Sequence, residues 1–248
     1  MSDLAELSPL LVFRIAAVPD VVGLRGLHGL PAALADNEVV EFAYQKGRAL
    51  ADASNAPDVL GLHLQRVVSI ACCVQDDAQF RVVSLADDDE ATLIQRFADL
   101  VKGERAQPVG WDTARFDWPV LRNRSLVCGA VPGAVLEAHV GQFDLASLFA
   151  APDGGRPGLH ELARLCGFPG QRGLADNQIW NAWRAGKRDA VHAHCATDAV
   201  IGHLVCLRSQ MTLGLLDESQ YAAKVRMVRA ALEALNEPPW REFLADWA

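Results

Sequence analysis

The sequence predicts an α/β domain in which a mixed sheet forms first and helices then cover it. Three observations carry this reading. Leu10 to Val18 is apolar apart from Arg14, and Pro19-Asp20 closes the run. Arg66 to Val74 and Phe80 to Leu85 are two β-branched runs separated by the short polar stretch Gln75 to Gln79. Beyond Pro157-Gly158 the apolar residues take helical spacing. Strands followed by helices around one sheet indicate a single domain. The expected division is a core over about 9–210 with C-terminal helices over 217–248, within one domain spanning 1–248.

The first run reads as a strand buried on both faces, because it is long, β-branched and ended by proline. Side chains alternate along a strand, so Val12, Arg14 and Ala16 share one face. Gly23, Gly26 and Gly29 suggest a loop next, before a helix from near Pro31 through Tyr44 with Leu34, Val39, Val40 and Phe42 as its apolar stripe. The second and third runs are spaced for a hairpin, giving at least one antiparallel pair. Asp87 to Glu90 precedes a periodic helix, Ala91 to Lys102. These acids read as helix capping and dipole compensation rather than as a metal site.

A fourth strand is expected at Pro108 to Trp111. It leads to a helix that begins beside Pro119 and ends near Gly129. Gln142 to Leu148 reads as a fifth strand. Helices then follow at Leu159 to Cys166, Asn177 to Ala185, Asp189 to Met211, Glu218 to Leu235 and Pro239 to Trp247.

The charge balance narrows the partners. A net charge of −8 argues against tight, charge-driven binding of duplex nucleic acid, though not against a local groove that takes a strand end. Arg14 interrupts the longest N-terminal apolar run, and no stretch reaches an uninterrupted transmembrane length. The N-terminus is acidic and lacks the basic start of a secretory signal, so a soluble cytoplasmic protein without a membrane partner is expected. The six cysteines show no C-x-x-C spacing and read as reduced, mostly packing residues. A zinc site from Cys195 with His192 or His194 lacks a second ligand pair at suitable spacing.

Arg14 needs an anionic partner or a route to water, since a guanidinium does not give up its proton. It either snorkels to solvent or stands on an active-site strand. Asp117 lies at the junction of strand four and its helix. Asp198 lies inside the long helix, with His194 one turn earlier on the same face. A strand with D-x-E, a strand-end Asp and a late helical Asp would suit two-metal phosphodiester hydrolysis, in which paired ions about 4 Å apart stabilise attacking and leaving oxygens. A Tyr or His beside them would orient water. Each residue also has an ordinary reading: Asp117 as a helix cap, Asp198 paired with a nearby base, and His194 as a packing residue. Trp111, Trp118 and Trp180 read as core rather than as base-stacking platforms.

Several fragments then fall in a recognisable order. They are Val12-Phe13 through Val18-Pro19-Asp20, Phe116-Asp117-Trp118-Pro119-Val120-Leu121, Leu162 to Gly170, Ile179-Trp180, Ala185-Gly186-Lys187, and His194-Cys195-Ala196-Thr197-Asp198. From about Leu11 to about Arg208 the chain resembles the predicted 3′–5′ exonucleases related to the proofreading domain of family B DNA polymerases, within the DEDD, ribonuclease H-like superfamily. The resemblance implies a ribonuclease H-like mixed sheet flanked by helices, action on nucleic-acid 3′ ends, and Mg²⁺ or Mn²⁺ as cofactor. It carries Asp117 and Asp198 over as metal-ligand positions and His194 as the water-orienting position. Asp144 matches only structurally.

The departures are concentrated in the first motif. Where the family has F-D-I-E-T-[IV]-P-D, this chain has Phe13-Arg14-Ile15-Ala16-Ala17-Val18-Pro19-Asp20. His194 replaces the third motif's Tyr, and Ala196 replaces a Glu. The connection before Asp144 is shorter than the family's. Losing two acids and gaining a cation changes the local charge by three units, which should repel divalent ions. Arg14 is therefore expected to fill the vacated metal position and pair with Asp117, Asp198 or both, with Ala16 leaving room for it. Three activities remain open: weak or Mn²⁺-dependent exonuclease action, metal-free binding of single-stranded ends or nucleotides, and protein scaffolding by the C-terminal helices. A monomer should bury Val225, Val228, Leu232 and Leu235. Asp112 or Asp20 could in principle rescue metal binding; Asp20 is expected to point away.

Overall fold

A computed structural model describes residues 9–54, 60–136, 144–171 and 173–247. β1 (Leu10–Pro19) runs antiparallel to β2 (Gln65–Gln75), and β2 pairs antiparallel with β3 (Phe80–Leu85). β4 (Pro108–Val109) joins the other side of β1 in parallel, so the order is β3-β2-β1-β4. The hairpin between β2 and β3 is pinned by Asp76, whose Oδ1 accepts from the backbone N–H groups of Ala78 at 2.7 Å and Gln79 at 2.9 Å.

β1 sorts its side chains as the alternation requires. Leu11, Phe13 and Ile15 pack into one apolar cluster, and Leu10, Val12 and Ala16 pack into another. The first cluster is covered by α3 (Glu90–Glu104) and α4 (Asp117–Cys128), and the second by α8 (Arg188–Thr212). Between β1 and α3 lie α1 (Val21–His28) and α2 (Asp36–Ser54); between α4 and α8 lie α5 (Leu145–Leu148), α6 (Leu159–Leu165) and α7 (Ile179–Arg184). α9 (Glu218–Leu235) and α10 (Pro238–Ala245) close the second face through Val228, Leu232, Trp240 and Phe243.

α8 is long and apolar enough to cross a membrane by composition, yet 83% of its apolar window is buried inside the fold. It is the central core helix. Its burial on almost every side explains why its amphipathic pattern is weak.

Three sequence expectations need correction. The segment with Gly23 and Gly26 is the helix α1, not a loop. Asp20 caps it by accepting from Gly23 N at 2.9 Å, and Gly29 ends it at φ 59°. The second helix starts at Asp36 rather than near Pro31. Among the described residues the fifth strand is not seen: Asp144 makes a parallel bridge to Gly110, and Leu145–Leu148 is helical. Asp144 caps that turn by accepting from Ala146 N at 3.1 Å, which diverts the chain from the sheet. Gln142 and Phe143, from the same expected strand, lie outside the described residues. Gly110 is required there because a Cβ would meet the Phe13 carbonyl oxygen at 2.9 Å.

The acid run before α3 divides its work. Asp89 caps the helix, accepting from Thr92 N at 2.8 Å. Glu90 instead turns inward and holds Arg124, with bonds of 2.9 and 2.6 Å, while Arg124 also donates to Asp20 at 2.8 Å. The Val67 N–H adds a bond to Glu90 at 2.7 Å. This buried network ties the end of β1 to β2, α3 and α4.

Candidate functional site

A cleft of about 740 Å³ opens beside β1, α7 and α8. Arg14 and Ala16 line it from β1, Asp198 and His194 from α8, and Asp176 from the short 3₁₀ turn Asp176–Gln178. Asp117 is fully buried and does not line the cleft.

Arg14 explains that arrangement. Its Nη1 stands 3.3 Å from Asp117 Oδ2 and 3.5 Å from the Trp111 carbonyl, with 23% of the side chain exposed. Asp117 Oδ1 accepts from Ile15 N at 3.0 Å. The carboxylate is thus held by β1 from both oxygens and does not cap α4. Phe116 occupies the cap position without a side-chain bond. Burial pushes Asp117 above the usual carboxylate range, opposed by Arg14 and the Ile15 N–H. Burial works against the Arg14 charge too, but Asp117, Asp198 and Asp176 outweigh it and raise its pKa.

Asp198 takes a different set of partners. Its Oδ2 lies 3.7 Å from His194 Nε2, and its Oδ1 lies 3.6 Å from His160 Nε2. His194 Nε2 lies 3.1 Å from Asp176 Oδ1. Arg14 forms its ion pair with Asp117 and acts on Asp198 only through space. The expectation of pairing with Asp117, Asp198 or both is resolved to the first alone. Burial raises the Asp198 pKa, opposed by His194, His160 and Arg14. For His194 burial is opposed by Asp176 and Asp198, which lift it above the ordinary imidazole value. Asp176 is held below the usual carboxylate range, chiefly by the His194 bond.

Among the other expected residues, Asp20 pairs with Arg124, away from the cleft. Asp112 reaches the cleft at φ 57°, but Arg156 bridges it to Asp144, at 2.8 Å from the latter. Cys195 turns its thiol toward the Arg14 carbonyl at 3.3 Å, and burial pushes it up to about 12. Trp118 is a core residue, Trp111 is buried yet lines the cleft, and Trp180 is half-buried on the cleft wall.

Sequence reasoning missed Asp176, His160 and Arg156. Asp176 precedes a helix and reads as a cap; His160 and Arg156 flank a Pro/Gly loop that carries no pattern of its own. Only folding brings Asp176 and His160 to α8, and Arg156 to Asp112 and Asp144.

Residues 57–142 and 136–247 match a family described as a predicted 3′–5′ exonuclease related to the exonuclease domain of PolB. The chain belongs to this exonuclease-like family. β1, with Arg14 and Ala16, precedes the matched residues. The fold is also similar to the family B DNA polymerase from the hyperthermophilic archaeon Pyrobaculum calidifontis, at 17% identity and a TM-score of 0.51. That alignment covers 91% of this chain but 29% of the polymerase, so this chain spans less than a third of it. No curated protein matches. The chain therefore has a mixed α/β fold, a four-stranded sheet flanked by helices, similar to part of that polymerase.

The family implies divalent ions and a nucleic-acid substrate. The β1 positions do not suit a two-ion site, because Arg14 and Ala16 offer no carboxylate and Asp117 is already engaged by a guanidinium. Asp176, His194 and Asp198 form a separate group with ligand atoms within 4.8 Å of one another.

Proposed function

We infer that this protein binds single-stranded nucleic-acid 3′ ends or nucleotides in the β1–α8 cleft, with two-metal hydrolysis impaired. The observation that carries this reading is Arg14, a permanent cation seated 3.3 Å from Asp117 where the family would place ion-binding acids. A second positive charge beside a fixed guanidinium is electrostatically unfavourable. The remaining guanidinium N–H groups offer planar donors to phosphate oxygens. Trp180 on the wall supplies an aromatic face against which a terminal base could stack.

The test is an exonuclease assay on end-labelled single strands in Mg²⁺ and in Mn²⁺, comparing the natural chain with the Arg14→Asp/Ala16→Glu double variant. The natural chain should release no mononucleotide above a no-enzyme control, and the variant should gain activity. Equal activity in both chains would overturn the argument from Arg14. Fluorescence anisotropy with single-stranded oligonucleotides tests binding: saturable retention that Arg14→Gln weakens supports end or nucleotide binding, and no retention refutes it.

Scaffolding finds less support. α9 buries Val228 and Leu232 and half-buries Val225, although Leu235, expected inside, is 44% exposed.

A further inference from the structure

We propose that the cleft selects a ribonucleotide over a deoxyribonucleotide at a strand end, with Asp176 accepting from the hydroxyls of a terminal ribose whose base stacks on Trp180. This selection rests on the binding function proposed above, since a nucleotide must enter the cleft before its sugar is sorted.

Asp176 lines the cleft with 64% of its side chain exposed. Its Oδ1 meets His194 Nε2 at 3.1 Å, and its Oδ2 makes no hydrogen bond to another described residue. The carboxyl is held below its usual range, chiefly by the His194 bond, so near neutral pH it is ionised and can only accept. A phosphate oxygen brought to that place would be repelled. A hydroxyl would instead donate to it. The neighbouring 2′- and 3′-hydroxyls of a terminal ribose present two such donors on one side of the sugar, and a deoxyribose presents one. The 2′-hydroxyl is the group by which a protein tells RNA from DNA at a given position.

Placement supplies a second, independent argument. Asp176 and Trp180 stand four residues apart where the 3₁₀ turn runs on into α7, so their Cβ atoms share one face, roughly 5–6 Å apart. A base stacked on the half-buried indole would hang its sugar beside the carboxylate. Across the cleft, Arg14 uses Nη1 alone for Asp117 and the Trp111 carbonyl, and the Asp176 charge acts on it. Base, sugar and phosphate of one nucleotide thus meet an aromatic face, an acceptor and a cation within a single cleft.

Fluorescence anisotropy of the full chain reads the selection. The probes are 5′-labelled single DNA strands, identical except that the 3′ end is uridine in one and deoxyuridine in the other. The base is the same in both, so any difference belongs to the sugar. A chelator is present throughout, so that no metal-dependent cleavage shortens the strands. The uridine end should bind at least about tenfold more tightly, within what a hydrogen bond to a charged group supplies. Asp176→Ala should bring that ratio below about twofold, whereas Asp189→Ala, which removes an exposed charge outside the cleft, should leave it unchanged. Asp176 is exposed, so its loss spares the core. A merely structural role would weaken both strands alike and leave the ratio where it was. Equal affinity for the two ends, or a ratio that survives Asp176→Ala, overturns the selection while the binding function stands. Lack of saturable binding by either strand sinks both. Trp180→Leu should weaken both ends to a similar extent; undiminished binding in that variant would remove the stacked base and overturn the placement of the sugar.

Discussion

Arg14 and Asp117 illustrate how one substitution changes both chemistry and stability. Removing the guanidinium as Arg14→Met leaves a fully buried carboxylate, still accepting from the Ile15 N–H, without its cation. Breaking such a pair from one side costs about 3 kcal/mol. Chemical denaturation near neutral pH should show that loss. The deficit should shrink in acid, because Asp117 in the variant then takes a proton and ceases to be a buried charge. A second residue-scale prediction concerns His203, buried and bonded to Gln75 at 2.8 Å, whose pKa burial lowers to about 3. Its folded value lies below the unfolded value of about 6.5, so the unfolded chain binds more protons between them. The stabilisation from its neutral form is complete above about pH 6.5 and declines as pH falls toward 3. Denaturation midpoints measured from pH 7 to pH 4 should fall, and His203→Gln should flatten that dependence. An unchanged slope in the variant would assign the effect to other groups.

At the scale of elements, the Arg124 network decides how β1 meets its neighbours. Arg124 binds Glu90 through two nitrogens and Asp20 through a third, all buried. Arg124→Met should destabilise the fold by about 3–5 kcal/mol, since two carboxylates lose their cation. Arg124→Lys should recover little, because an ammonium cannot reproduce the planar fork. Thermal unfolding of both variants checks this. Similar logic explains why α1 and α5 escaped the pattern of apolar residues. Each is short and capped by an aspartate, Asp20 or Asp144, whose side chain also serves an ion pair elsewhere. A cap read in isolation gives a turn; a cap fixed by a tertiary partner gives a helix start.

On the scale of the whole molecule, α9 and α10 complete the apolar layer over α8 rather than forming a separate core. Trp240, Phe243 and Trp247 belong to the same buried cluster as Val12 and Leu204. The chain should therefore unfold in one transition, with far-ultraviolet circular dichroism and tryptophan fluorescence coincident. Phe243→Ala should lower stability by about 3–5 kcal/mol and move both signals together. Two separated transitions would instead make the C-terminal helices an independent unit.

The sequence by itself determined the strands β1, β2 and β3 with the hairpin between the last two, the long apolar α8, and the position of Asp117 at a helix start. Those features follow from alternation, run length and proline placement, which are local. It also exposed the oddity of Arg14, because a cation in an apolar strand violates local pattern. Tertiary structure alone decided which carboxylate Arg14 engages. It also decided that Asp176 reaches His194 and His160 reaches Asp198 from separate turns, and that the chain turns helical directly after the Asp144 bridge. Those outcomes depend on distances between residues far apart in the chain, where burial and charge compete and no sequence period records the winner.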